Sequence, residues 1–178
     1  MHILQKKIAL WDNDGTIMGS RDPNDPIKTI LPRVKEAMKV TLLNCIISGC
    51  KTPESEVQNY DPEKVIQRFQ NLMNRLPVSL ALFSPTIGGV ACYGVLKKSD
   101  NTFETIKAHE NPEYQQYIGS FKKPGIGMFI VARHIIEKEF GLLVNNKTTI
   151  MIGDTWHDEA AAEQFGIPFI DASIIHSL

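Results

Sequence analysis

Ile8-Ala9-Leu10-Trp11-Asp12-Asn13-Asp14-Gly15-Thr16 is the stretch on which the fold of this chain turns. Four consecutive apolar residues read as a strand buried on both faces, the kind found in parallel sheets. The run ends in two carboxylates. Residues two apart on extended backbone share a face, so Asp12 and Asp14 can reach one small site, and Gly15 permits backbone angles that a side chain would oppose. This arrangement suits chemistry on a phosphate. One carboxylate can attack phosphorus and the other can carry protons, provided a cation offsets the repulsion among two acids and a phosphate dianion.

The same pattern recurs along the chain. Residues 42–48, 78–84, 148–153 and 167–171 are further Val/Ile/Leu/Phe-rich runs, and with residues 7–12 they make five expected strands. Helical patterns lie between them. Pro32 opens one with Val34, Ala37 and Met38 on a face, and Asp61-Pro62 caps a second lined by Val65, Phe69, Leu72, Met73 and Leu76. A third runs from Ile126 to Phe140 with Gly141 as its stop, and a fourth is expected to begin at Asp158-Glu159 and end at Gly166. Strands alternating with helices imply an α/β fold with a doubly wound parallel sheet, as a single domain over residues 1–178. Ligands of such sheets bind beyond the carboxyl ends of the strands, where Asp12, Ser48 and Asp154 all fall.

Bulk properties exclude some classes of partner. The chain has 178 residues, 43% of them hydrophobic, and a formal net charge of −1. It therefore has no global field to gather nucleic acid or anionic lipid, and any anion site must be local. The basic pairs Lys6-Lys7 and Lys97-Lys98 read as solvated faces, whereas Lys122-Lys123 precedes a helix. No apolar stretch approaches the roughly 20 residues that span a bilayer, and the start of the chain commits to a strand too early for a signal peptide, so a cytoplasmic location is expected. Cys45, Cys50 and Cys92 are scattered and form no disulfide framework or zinc motif. His157 alone of the five histidines sits among the acids, as a loop residue or a contact on the pocket rim. Asp12, Asp154 and Asp158 offer hard oxygen ligands without sulfur or an imidazole cluster, which selects Mg²⁺ over zinc.

Four segments, in order, resemble the motifs of the haloacid dehalogenase superfamily: Asp12-Asn13-Asp14-Gly15-Thr16, Cys45-Ile46-Ile47-Ser48-Gly49, Lys122-Lys123-Pro124, and Gly153-Asp154 with Asp158. The resemblance covers residues 7–171 and implies a Rossmann-like sheet with the Asp12 strand central and the Asp154 strand beside it. It further implies a role for each residue. Asp12 would be the nucleophile that forms an aspartyl phosphate, and Asp14 the general acid and then base. Ser48 and backbone amides near it, Gly49 included, would hold the phosphoryl oxygens, and Lys123 would offset charge on the phosphate and on Asp12. Asp154 would bind Mg²⁺ with Asp12 and the Asp14 carbonyl, while Asp158 would act through water or by orienting the ligands. An acid at the Asp14 position goes with phosphate esters in that superfamily.

Lys123-Pro124-Gly125-Ile126-Gly127-Met128 is similar to the form found in a branch with little or no cap domain. That branch contains polynucleotide 3′-phosphatases, histidinol phosphatases and heptose-bisphosphate phosphatases. Residues 84–121 read as an insertion, glycine-rich and β-like and then polar with Tyr114, Tyr117 and Phe121, and without the Cys/His cluster that holds zinc in the sugar and histidinol enzymes. Those aromatics could stack nucleic-acid bases, but they read more readily as anchors of a long loop that sets substrate choice. The expected function is a Mg²⁺-dependent phosphomonoesterase acting on a phosphorylated small molecule or macromolecule end. A polynucleotide 3′-phosphatase, a phosphoprotein phosphatase, a phosphotransferase and a non-catalytic binding protein are the alternatives.

Overall fold

The computed structural model describes residues 6–19, 29–49, 61–86 and 88–177. Seven strands form one sheet: β1 (Ile8–Trp11), β2 (Leu43–Ser48), β3 (Leu80–Phe83), β4 (Tyr93–Lys97), β5 (Phe103–Lys107), β6 (Thr149–Gly153) and β7 (Phe169–Asp171), in the order β5-β4-β3-β2-β1-β6-β7. β1 lies between β2 and β6, parallel to both, with Trp11 opposite Ile46 and Ile152. The expected central place of the Asp12 strand, with the Asp154 strand beside it, is therefore found. All five expected strands form, each one to two residues shorter at one or both ends or, for β2, starting one residue later.

Alternation along the strands sends side chains to two cores. Ala9, Trp11, Ile46 and Ile152 pack with α1 (Val34–Met38), α2 (Pro62–Arg75) and α5 (Ala172–His176) on one face. Ile8, Leu10, Cys45, Ile47 and Met151 pack with α3 (Gly127–Phe140) and α4 (Trp156–Phe165) on the other. Burial on both faces explains why these strands are unbroken apolar runs. α2 has the expected cap, with the Asp61 carboxylate accepting from the Glu63 amide at 3.0 Å, and α3 stops at Gly141, whose φ is 65°. No described helix is long and apolar enough to cross a membrane.

Residues 84–121 are not a loose loop. β4 pairs antiparallel with β3 and β5 with β4, so part of the segment extends the sheet at one edge. Gly94 allows this close approach, since a Cβ there would stand 2.5 Å from Leu82 Cδ2 and 2.9 Å from the Ala81 carbonyl oxygen. β5 finishes at the carboxyl end of β3, with Lys107 opposite Tyr93 and Tyr93 opposite Phe83, and two short 3₁₀ turns, Ala108–Glu110 and Pro112–Tyr117, follow it. Tyr114 and Phe121 are buried and Tyr117 packs against the same core, so these aromatics anchor the segment.

Two helix starts and one whole helix depart from expectation. α1 begins at Val34 rather than Pro32. α4 begins at Trp156, two residues before Asp158, because Thr155 caps it in a reciprocal box with Asp158. The helix α5 was not expected at all. Cys45 and Cys92 are free, buried thiols, and burial pushes both upward from their ordinary pKa; Cys50 lies outside the described residues.

Candidate active site

The site is built where β1, β2 and β6 end. The Asp12 amide donates to the Ile152 carbonyl at 2.8 Å, which carries the β1–β6 pairing one residue past the strand and sets Asp12 next to the Gly153-Asp154 turn. The chain then turns sharply. The Asn13 carbonyl accepts from the amides of Ile17 and Met18, both at 2.9 Å, and the Gly15 amide donates to the Met18 carbonyl at 2.8 Å. Gly15 sits at φ 87°, the left-handed region that glycine enters at no steric cost. Asp14 is half-buried in this turn, with its Oδ1 accepting from Asn13 Nδ2 at 3.1 Å.

Lys123 joins the elements. Its buried ammonium donates to Asp12 Oδ1 at 2.5 Å and to the Ile47 carbonyl at 2.8 Å, and it pairs with Asp158 Oδ1 at 2.5 Å. An ammonium has three protons, so β1, β2 and α4 each take one. Of the two lysines, Lys123 is the one whose ammonium meets Asp12 and Asp158; Lys122 is half-buried beside Gly49. Ser48 ends β2 and is buried.

Asp158 works in two directions. Its Oδ2 accepts from the Thr155 amide at 3.1 Å and from Thr155 Oγ1 at 2.7 Å, while Oδ1 faces Lys123. It is thus both helix cap and site residue. Gly153 makes room for it, since a Cβ there would lie 2.4 Å from Asp158 Cβ. Carboxylate oxygens of Asp12, Asp154 and Asp158 come within 4.8 Å of one another, a group that could hold a metal ion.

Burial and pairing shift the charged groups of the site in opposite senses. Burial pushes the Asp12 carboxyl up to about 6; Lys123 pulls it back in part, and Asp158 and Asp14 raise it. Burial would lower the Lys123 ammonium, yet Asp12 and Asp158 together hold it above its ordinary value. The two shifts are consistent: Lys123 faces two carboxylates, whereas Asp12 shares its one lysine with Asp158. The three carboxylates outnumber the one lysine among them.

The structure therefore brings Asp12, Lys123, Asp154 and Asp158 together, with Asp14 in the turn after Asp12, Gly49 beside the Lys123 side chain and Ser48 at the buried end of β2. His157 is half-buried and stacked on Trp156, with ring centroids 3.8 Å apart. Sequence reasoning missed three supports. Thr155 carried a signal in its spacing to Asp158, Gly153 one in its place before Asp154, and His176, whose Nε2 meets the Thr16 carbonyl at 2.9 Å from the far end of the chain, carried none. Compared with models of protein families, with curated proteins and with solved structures, the chain matches none.

Proposed function

We propose that this chain is a Mg²⁺-dependent phosphomonoesterase of the haloacid dehalogenase type. The observation that carries the reading is the Lys123 ammonium, held by Asp12 and Asp158 at 2.5 Å each beside the gathered carboxylates. A binding protein has no use for so much like charge in one buried place, because it costs stability.

In the first half-reaction an Asp12 carboxylate oxygen attacks phosphorus, the bond from phosphorus to the ester oxygen breaks, and Asp14 gives that oxygen its proton. The alcohol leaves and Asp12 carries the phosphoryl group. In the second, Asp14, now ionised, takes a proton from water as the water oxygen attacks phosphorus, and inorganic phosphate departs with Asp12 restored. Lys123 keeps Asp12 ionised and in line, and it offsets charge on the phosphoryl oxygens, which the Ser48 hydroxyl and the Gly49 amide also hold. Asp158 positions Lys123 and the turn that bears Asp154. Mg²⁺ at Asp12, Asp154 and Asp158, with the Asp14 carbonyl, would supply the remaining neutralising charge.

The test is turnover of small phosphomonoesters together with trapping of the intermediate. Hydrolysis should vanish with a chelator and return with Mg²⁺, and a phosphoryl group should be recovered on Asp12. Full turnover in chelator, or a phosphoryl group on any other residue, refutes the scheme.

A further inference from the structure

The amino ends of the central strands, opposite the acidic site, carry apolar side chains that belong to neither core. Ile8 stands opposite both Leu43 and Thr149, so the starts of β2, β1 and β6 lie side by side. Leu42 is 73% exposed there, Leu143 64% and Val40 55%. Hydrogen bonds join the three segments into one strip. The Lys7 carbonyl accepts from the Leu42 and Leu43 amides at 2.9 and 3.0 Å, the Ile8 amide donates to the Thr148 carbonyl at 3.0 Å, and Thr148 Oγ1 donates to the Leu143 carbonyl at 2.6 Å.

Lysines stand among these side chains. Lys7, Lys39 and Lys147 are exposed, and the half-buried Lys6 reaches across from the start of β1 to donate to the Asn146 and Lys147 carbonyls at 2.7 and 3.1 Å. Residues 6–8, 38–43 and 141–149 contain no Asp or Glu. Of the acids just beyond them, Glu137 is half-buried and accepts from the Val144 amide at 3.2 Å, and Glu36 is exposed on α1. The charge of −1 over the whole chain thus coexists with a strip whose own charges are all positive. Composition decides what the strip meets. Protein interfaces favour aromatic residues and Arg and are depleted of Lys, and these segments hold neither an aromatic residue nor an Arg. A nucleic-acid backbone would engage the lysines and leave the leucines in water. An anionic lipid surface uses both, because lysines meet the headgroup phosphates while single aliphatic side chains enter between them.

We propose that the amino end of the sheet docks on an anionic lipid surface, with Lys7, Lys39 and Lys147 at the headgroups and Leu42, Leu143 and Val40 inserted among them. Asp12 follows the far end of β1, about 13 Å along the strand from Ile8, so the docked protein holds its acidic cluster toward water. The docking does not depend on the phosphomonoesterase reading, and it leaves the site open to a dissolved substrate.

Co-sedimentation of the full chain with vesicles tests it. Vesicles of phosphatidylcholine with about a third phosphatidylserine should carry the protein down, vesicles of phosphatidylcholine alone should not, and binding should weaken as salt rises. Lys7→Gln and Lys147→Gln should each lower the partition coefficient about fivefold, while Lys7→Arg, which keeps the charge, should not. Leu42→Gln and Leu143→Gln should each lower it about tenfold. All these side chains are exposed, so the variants should melt with the unsubstituted protein. In Leu42→Trp the indole emission should shift to the blue on the anionic vesicles. In the unsubstituted protein it should not, because exposed Trp156 opens α4 beyond the carboxyl end of β6 and stays in water. Binding to neither kind of vesicle, equal binding to both, binding that the glutamine substitutions leave unchanged, or a blue shift in the unsubstituted protein overturns the proposal. So does a concentration-dependent dimer that Leu42→Gln dissociates and that does not bind vesicles, since a second copy would then cover the strip.

Discussion

Replacing Asp12 with asparagine should make the metal-free protein more stable at neutral pH, even as it removes the proposed nucleophile. Burial raises the Asp12 carboxyl from 3.8 to about 6 in the folded chain. The folded state thus holds this proton more tightly than the unfolded state does. The sign follows: the contribution is fully present below the unfolded value of 3.8 and is lost as pH rises through about 6. A shift of roughly two units, at about 1.4 kcal/mol each, sets the loss at neutral pH on the order of 3 kcal/mol. Asparagine cannot ionise and does not suffer it. Nor does the substitution strand a cation, because Lys123 retains Asp158 at 2.5 Å and the Ile47 carbonyl at 2.8 Å. At about 2–4 °C per kcal/mol for a chain of this size, Asp12→Asn in chelator should melt on the order of 5 °C or more above the unsubstituted protein at neutral pH. The gap should close toward about pH 4, where both forms are neutral, and it should shrink when Mg²⁺ binds the native carboxylates. Thermal melts over this range, with chelator and with Mg²⁺, are the assay. Melting curves that keep the same pH dependence in both proteins, or a variant less stable throughout, would mean that the Lys123 pair outweighs burial and that the site is not short of positive charge.

Asp14→Asn keeps the proposed nucleophile and removes the proposed proton carrier, so kcat should fall by about 10²–10⁴, with phosphoenzyme accumulating on a substrate with a good leaving group in quenched-flow experiments. Gly153→Ala would set its Cβ 2.4 Å from Asp158 Cβ, and because Asp158 is held by Thr155 and Lys123 the turn must open. A loss of about 1–3 kcal/mol in denaturant unfolding is expected, and native stability would show that this close approach is not a constraint. His176→Ala strips the Thr16 carbonyl of its donor, at 2.9 Å, which should cost about 1–3 kcal/mol of stability and lower kcat more than it changes KM. His176→Gln, which can donate from the same direction, should recover part of both, and failure to recover either would remove the loop from the explanation.

What was legible in the chain was whatever burial on both faces imposes. Leu43–Ser48 and Thr149–Gly153 are buried at every position, so their composition alone marks them as inner strands. β5 is different. Phe103–Lys107 is an edge strand with three residues exposed and none buried, and those three, Glu104, Thr105 and Lys107, read as surface. Pairing with β4, not composition, makes it a strand, so residues 84–121 could be called β-like but not placed on an edge. α5 escaped for a related reason, since five residues hold no helical period and its docking through buried Ala172 and Ile175 is tertiary. The start of α4 was misjudged because Asp158-Glu159 suit a first turn in general, while the Thr155 cap puts that turn's beginning two residues earlier.

The site was more legible than the edge of the sheet because its acids are fixed by topology. Parallel strands that end together place Asp12, Ser48 and Asp154 at one end whatever lies between them, and the sheet rule needs only the strands to be right. The supports of the site obey no such rule. Lys123 lies on a turn ahead of α3, yet it bonds to groups 111 and 76 residues away, and no local pattern announces those partners. Its three bonds join the ends of β1 and β2 to the cap of α4, so the groups proposed for chemistry also fasten three elements together. Loss of Lys123 should accordingly be worse for the fold than loss of Asp12: the first leaves two buried carboxylates facing each other without a cation, and the second relieves that same crowding.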